Sequence, residues 1–250
     1  VVEMIAFDVF SVNDSVSASD GGSFAGNIGM GGTLSVTGTA TLSGNATIGT
    51  NDGDTRFHLN SANQYTMKFS NAGNVSGHIG GGGSDILRFS NAAGATIMEM
   101  NAGQITMPLQ PAFLVTPSAA QNNIAVGSQV DIVFGNEVYD VGSNFASNAF
   151  TAPVTGKYQL NGRVRLGAVH QPSAYYTMRI TTSNRVYEQI FDSNENSNGN
   201  LDYHPFEISV VADMDASDTA KIQIFQNSGT QETDIEAGTD NTQFSGFLAC

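Results

Sequence analysis

A chain of 250 residues can build one large or two small domains, and 40% hydrophobic content suffices for a packed core. Charged residues are only 13%, and 9 Lys and Arg against 23 Asp and Glu leave a net charge of −14, which disfavours nucleic acid and anionic lipid surfaces as partners. No stretch approaches the roughly 20 apolar residues needed to insert a helix into a membrane, and the single cysteine, Cys250, excludes an intrachain disulfide. The opening residues 1–10 are apolar but interrupted by Glu3 and Asp8, and they lack a basic region, so they do not read as a signal peptide. Residues 1–31 are expected to form an attachment segment, with a simple first strand as the alternative.

Residues 32–49 carry glycine at 32, 38 and 44, a period of six. Leu34, Val36, Leu42 and Ile48 fall at even positions and share one face of an extended chain. One such ribbon buries too little to fold alone, and three chains wound about an axis would bury that face. A looser repeat follows, Phe69-Ser-Asn-Ala-Gly73 and Phe89-Ser-Asn-Ala-Ala-Gly94, each preceded by alternating strand-like residues and closed by a turn. Residues 53–107 are therefore expected as successive hairpins, completing a Gly-rich β-repeat stem over 32–107.

The composition shifts near residue 110: 18 of the 28 glycines precede it and ten follow. Pro108, Pro111 and Pro117 mark a stiff linker into a second region, 108–250. Here the alternation is strictly of period two. Over 157–166, Tyr158, Leu160, Val164 and Leu166 share one face, and Lys157, Gln159, Asn161, Arg163 and Arg165 the other. Similar segments occur at 129–134, 175–182, 185–191, 206–212, 221–226 and 242–248, separated by turn-rich stretches at 192–200 and 227–241. Short alternating strands without helical periodicity predict an all-β sandwich or jelly roll.

Catalytic chemistry finds no constellation. His58, His78, His170 and His204 lie far apart and lack metal-ligand spacing, which suits surface or pocket-rim histidines. Gly80–Gly83 lacks the Lys and Ser/Thr of a phosphate loop, and reads as a hairpin tip. Asp213, Asp215 and Asp218 offer hard oxygen ligands suited to Ca²⁺ but lack the glycine and distal Glu of an EF-hand, so a solvated turn is expected, with no metal and no cofactor. Arg163, Arg165, His170, Tyr175, Tyr176 and Arg179 are the candidate receptor-binding residues, because rings stack on sugar faces and guanidinium groups bond hydroxyls and carboxylates. Ordinary strand exteriors would account for the same residues.

Two resemblances sharpen the picture. Phe134, Asp140, Phe145 and then Phe150-Thr-Ala-Pro-Val-Thr-Gly156-Lys-Tyr158, with the closing Phe244-Ser-Gly246-Phe-Leu248, resemble the signature of C1q-like domains. The gap from Phe145 to Phe150 is two residues shorter than that pattern, and Leu160 and Gly162 stand where it prefers aromatics. This resemblance implies a jelly roll of the tumour-necrosis-factor type that assembles as a homotrimer. The stem resembles those of trimeric bacteriophage fibres, and no Gly-X-Y collagen run is present. The expected whole is a C1q/TNF-like jelly-roll head behind an elongated trimeric β-repeat stem. The expected function is non-enzymatic: a virion fibre or spike, held to a tail or capsid protein by its N-terminal segment, whose head contacts a host-surface glycan or protein. A capsid decoration or cement protein and a secreted C1q-like adhesin are the alternatives, and a polysaccharide-cleaving spike is disfavoured because no carboxylate pair stands out.

Overall fold

The computed structural model describes residues 67–81 and 86–250, with five isolated positions between 33 and 40. The attachment segment expected over 1–31, all but those five positions of the six-residue repeat, and the first hairpin residues, 53–66, lie outside the described residues. The chain divides into two units at His58 and Leu59, and every strand below belongs to the second.

Five strands form an antiparallel meander: β1 (Met67–Asn71), β2 (Asn74–Gly81), β3 (Ile86–Asn91), β4 (Thr96–Asn101) and β5 (Gln104–Thr106), paired in chain order. The Asn-Ala-Gly sequence makes the turns. Ala72 and Gly73 both take positive φ (49° and 83°) between β1 and β2, and Ala102 and Gly103 repeat this (46° and 84°) between β4 and β5. A two-residue hairpin turn of this hand matches the twist of its strands, and glycine adopts it without a Cβ clash.

The remaining strands build two facing sheets. They are β6 (Ala112–Thr116), β7 (Gln129–Asp131), β8 (Asn136–Asp140), β9 (Phe145–Ala146), β10 (Ala149–Thr151), β11 (Gly156–Val169), β12 (Tyr176–Thr182), β13 (Val186–Phe191), β14 (Leu201–Met214), β15 (Thr219–Gln226), β16 (Asp234–Ile235) and β17 (Gln243–Leu248). One sheet runs β13-β12-β15-β10-β9, with β7 also on β15. The other runs β14-β11-β17-β6-β8, with β16 also on β11. The chain crosses between sheets from β11 to β12, from β13 to β14 and again into and out of β15, which makes a jelly roll. A single helical turn, α1 (Ser193–Asn196), interrupts the loop after β13. Among the described residues no helix is long and apolar enough to cross a membrane.

Each expected strand in this region has a counterpart, with changes at the ends. The segment expected over 206–212 extends to residues 201–214, because β14 pairs with β11 along almost its whole length, from Gly156 opposite Met214 to Val169 opposite Leu201. The segment expected over 129–134 stops at Asp131: Phe134 donates its amide to the Asn148 side chain (2.9 Å), which takes it off the β15 ladder. The proline-marked linker contains a strand. Ala112–Thr116 sits between Pro111 and Pro117, each just outside the ladder where a missing N–H is tolerated. Pairing with β17 buries Phe113 and Val115 completely.

The motif residues converge on one aromatic cluster. Phe113 stacks on Phe150 with ring centroids 4.6 Å apart and meets Phe244 edge-on at 4.9 Å. Phe145 lies 5.5 Å from Phe113, and Phe150 lies 5.4 Å from Tyr158. Asp140 holds the turn that delivers Phe145, accepting from the amides of Asn144 (3.0 Å) and Phe145 (2.8 Å). The short gap between Phe145 and Phe150 is closed by a two-residue turn in which Ser147 and Asn148 both have positive φ, setting Phe145 directly opposite Phe150.

At Gly246 the packing leaves no room for a side chain. A Cβ there would lie 2.8 Å from both Leu160 Cδ2 and Phe113 Cε1 and 2.9 Å from the Gln159 carbonyl oxygen. Because a ring and a backbone atom cannot yield cheaply, Gly246→Ala is expected to cost about 1–3 kcal/mol, the usual penalty of overpacking. Chemical denaturation of the two proteins side by side measures it, and equal midpoints would contradict the packing described.

Candidate binding surface

The alternation of β11 places Lys157, Gln159, Asn161, Arg163 and Arg165 on the outside of the β14-β11-β17-β6-β8 sheet, while Tyr158, Leu160, Val164 and Leu166 are fully buried inside. Register fixes their neighbours. Gln159 lies between Val211 and Phe247, Asn161 between Ser209 and Ser245, and Arg163 between Glu207 and Gln243. Beyond Ser245 the rows continue to Leu114 and then Tyr139.

The surface has two chemically different ends. At the first, Phe247 and Tyr139 stand 47% and 48% exposed on either side of β6, and Val211, 57% exposed, lies beyond Gln159 on β14. At the second, the Arg165 guanidinium lies over the Tyr203 ring, 4.7 Å from its centroid. A polar network lies between the two ends and, through Gln159, reaches between Val211 and Phe247: Gln159 Nε2 donates to Ser209 Oγ (2.9 Å) and to Asn161 Oδ1 (3.0 Å), and Ser209 Oγ donates to Asn161 Oδ1 (2.8 Å). Arg163 Nε lies 3.3 Å from Glu207 Oε1, an ion pair too poorly aligned to count as a hydrogen bond. An open depression of about 430 Å³ lies among Asn161, Arg163, Glu207, Ser209 and Gln243. The Nε atoms of Arg163 and Arg165 are buried and lack a hydrogen-bond partner.

The six candidate residues do not make one patch. Arg163 and Arg165 share the face just described. Arg179 projects from β12 on the opposite sheet and is paired with Glu188. Tyr175 precedes β12, its ring 5.9 Å from that of Phe225. Tyr176 requires a correction: it is wholly buried and offers nothing to a receptor. Neighbouring residues of a strand face opposite ways, so Tyr175 and Tyr176 could not both point outward. The Tyr176 hydroxyl bonds to Thr233 Oγ1 (2.8 Å) and accepts from the His170 amide (3.1 Å), and burial pushes its pKa up. His170 lies on the same loop cluster with its side chain 14% exposed; its Nδ1 accepts from the Thr230 amide (3.2 Å).

The remaining carboxylates and His204 make contacts within the fold. Asp213 pairs with Lys157, whose hydrogen bond and charge hold the exposed carboxyl below its ordinary range. Asp218 accepts from the Asp215 amide (2.9 Å) and from Asn184 Nδ2 (2.6 Å). Among the described residues no three His, Cys, Asp or Glu side chains converge as metal ligands. His204 is not a rim residue but a wedge: it stacks on Phe191 at 3.6 Å between centroids and meets Phe206 edge-on at 4.8 Å. It thereby ties the ends of β13 and β14, one from each sheet.

The residues that sequence reasoning passed over on this face are Tyr139, Tyr203, Val211 and Phe247. A signal for one of them existed. Phe244 and Phe247 are three apart, so if one is inside, the other is outside.

No family model and no curated protein matches the chain. Among solved structures, the globular domain of zebrafish complement 1qA protein is similar at 18% identity and a TM-score of 0.41, covering 56% of this chain and 98% of that one. Murine APRIL at pH 8.5 and at pH 8.0 is similar at 11% and 12% identity, with TM-scores of 0.40 and 0.41 and the same coverage. The jelly-roll assignment stands on the strand order and register of this chain.

The His204 wedge carries a pH dependence. Burial lowers its pKa from the ordinary 6.5, so the native state resists a proton that the unfolded chain accepts. The wedge's full stability is present above about pH 6.5 and is lost as pH falls through that value towards the lowered native pKa. His204→Phe is expected to flatten this part of the melting temperature profile between pH 7.5 and pH 5. Parallel profiles for the two proteins would show that His204 contributes none of it.

Proposed function

We propose that this chain is a non-enzymatic, homotrimeric virion protein: a bacteriophage fibre or spike whose N-terminal segment docks on the particle and whose head binds a host-surface glycan or protein. The observation that carries the reading is the exposed apolar stretch of the β14-β11-β17-β6-β8 sheet, where Phe247 and Tyr139 flank Ala112 and Leu114 of β6. A monomer rarely leaves aromatic and aliphatic groups clustered in water. The order of the chain supports the particle setting: apolar leader, glycine-rich repeat, hairpins, then a jelly roll. His170 and His204 support the absence of catalysis, since one ring nitrogen of the first is held by a backbone amide and the second is clamped between aromatic rings.

In this reading the two ends of the face divide the work. The apolar end meets other copies, and Arg165, Tyr203 and the loop bearing His170 and Tyr175 meet the receptor. Tyr203 lies opposite Gly167, eight residues along β11 from Gln159, which places the two ends about 27 Å apart. Three such ends on one fibre, and several fibres on one particle, raise a weak single contact by avidity.

Sedimentation of the full chain is expected to give the mass of a trimer. Phe247→Asp is expected to weaken that association about 30-fold or more, as the loss of a hot-spot ring of about 2 kcal/mol implies, while the far-ultraviolet β signal is retained. A monomeric parent protein would refute the assembly. Excess purified protein is expected to block adsorption of the particle to its host, and Arg165→Glu to block less. Failure to compete at saturating protein, or labelling of intact particles that finds the chain at capsid three-fold positions, would favour a decoration protein instead.

A further inference from the structure

The β1–β5 meander has one face that nothing in its own sheet can cover. Register aligns Met67, Ile79, Phe89 and Met98 in one row and Leu87, Met100 and Ile105 in the next, with Phe69 beside them. Directly opposed residues of an antiparallel sheet point to the same side, so these eight side chains form one apolar face. Five of them are substantially open: Met67 38%, Phe69 46%, Leu87 40%, Met100 40% and Ile105 62%. Leu87, Met100 and Ile105 border a groove of about 500 Å³. The other face is mainly polar, with Lys68 and His78 in one row, Arg88, Glu99 and Thr106 in another, and Ile86 opposite Asn101 at its edge. There Arg88 Nε donates to Glu99 Oε2 at 2.6 Å.

We infer that this apolar face is a second contact between copies of the chain, three meander sheets closing on one another along the axis set by the heads. The inference rests on the homotrimer reading and adds the surface to it. Three observations select another copy as the occupant. The charged residues described in the sheet, Lys68, Arg88 and Glu99, all lie on the opposite face, so the apolar face is free of the repulsion that an acidic chain meets elsewhere. A sheet needs a second layer against its apolar side, and each copy brings one such side, so closure leaves none exposed. The meander also runs within a few residues into the head: β5 ends at Thr106, β6 begins at Ala112, and Gln110 between them donates to the Leu248 carbonyl oxygen. Heads already associated would therefore hold the meander faces at an effective concentration of the order of millimolar.

Short-spacer bismaleimide cross-linking tests this on the full chain, in a Cys250→Ser background because Cys250 is exposed. Met100→Cys probes the apolar face and Lys68→Cys the opposite one, and sedimentation is run on both. The expected result is a trimer mass for each, with covalent multimers at least five-fold more abundant for Met100→Cys than for Lys68→Cys. A trimer mass with equal cross-linking at both positions, or with none at Met100, would overturn the inference and leave the head contact standing, since the face would then be covered by the chain's own N-terminal residues or left open. A monomer mass for the Cys250→Ser parent would overturn the homotrimer reading, and this inference with it.

Discussion

The contact between Phe113 and Phe150 is where the two sheets of the head become one structure. Phe113 belongs to β6 and Phe150 to β10, so their stacked rings at 4.6 Å bridge the sheets directly. Phe244 closes on Phe113 from β17, and Phe145 is brought in by the Asp140 turn. Fully burying each such ring is worth about 1.5–3 kcal/mol, and the ring pairs add about 0.5–1.5 kcal/mol beyond area. The glycines near this cluster follow from it. Gly246 lets Phe113 and Leu160 approach the β17 backbone, and at Gly162 the tips of Met178 and Ile222 occupy the space a Cβ would need.

Two open faces follow from building β-structure with strict alternation. Inside the head, both sheets spend their apolar residues on one shared core. Outside, Phe247, Val211 and Tyr139 remain in water at one end of a sheet, and in the meander a whole apolar side remains. The meander's apolar side carries none of the negative charge that dominates the chain, and the proposed contact between copies relies on that. Tyr203 beneath the Arg165 guanidinium belongs to a different chemistry, suited to flat or carboxylated ligands rather than to close packing.

The recurring motif residues have physical explanations here. The glycine of Phe150-Thr-Ala-Pro-Val-Thr-Gly156 is needed because a Cβ would lie 2.6 Å from Leu248 Cδ1 and 2.7 Å from the Cys250 carbonyl oxygen. Tyr158, two residues on, reaches back to donate its hydroxyl to the Val154 carbonyl oxygen (2.8 Å), locking the turn into β11. The departures from the motif are equally concrete: the shortened gap after Phe145 becomes a tight turn through Ser147 and Asn148.

By itself the sequence determined the all-β class, the positions of most head strands, the Asn-Ala-Gly hairpin turns and the net acidity. These depend on local alternation, turn chemistry and composition, which are written in neighbouring residues. Only the tertiary structure decided that a strand occupies the proline-marked stretch before Pro117, that Tyr176 points inward, that His204 wedges between two rings, and that Arg163 and Arg179 belong to different sheets. Parity along a strand shows that its two faces differ, but which face is covered, and by what, depends on pairing between residues far apart in the chain. The same limit explains why the meander was legible as hairpins while its open apolar side was not: that side exists only once five strands stand in register.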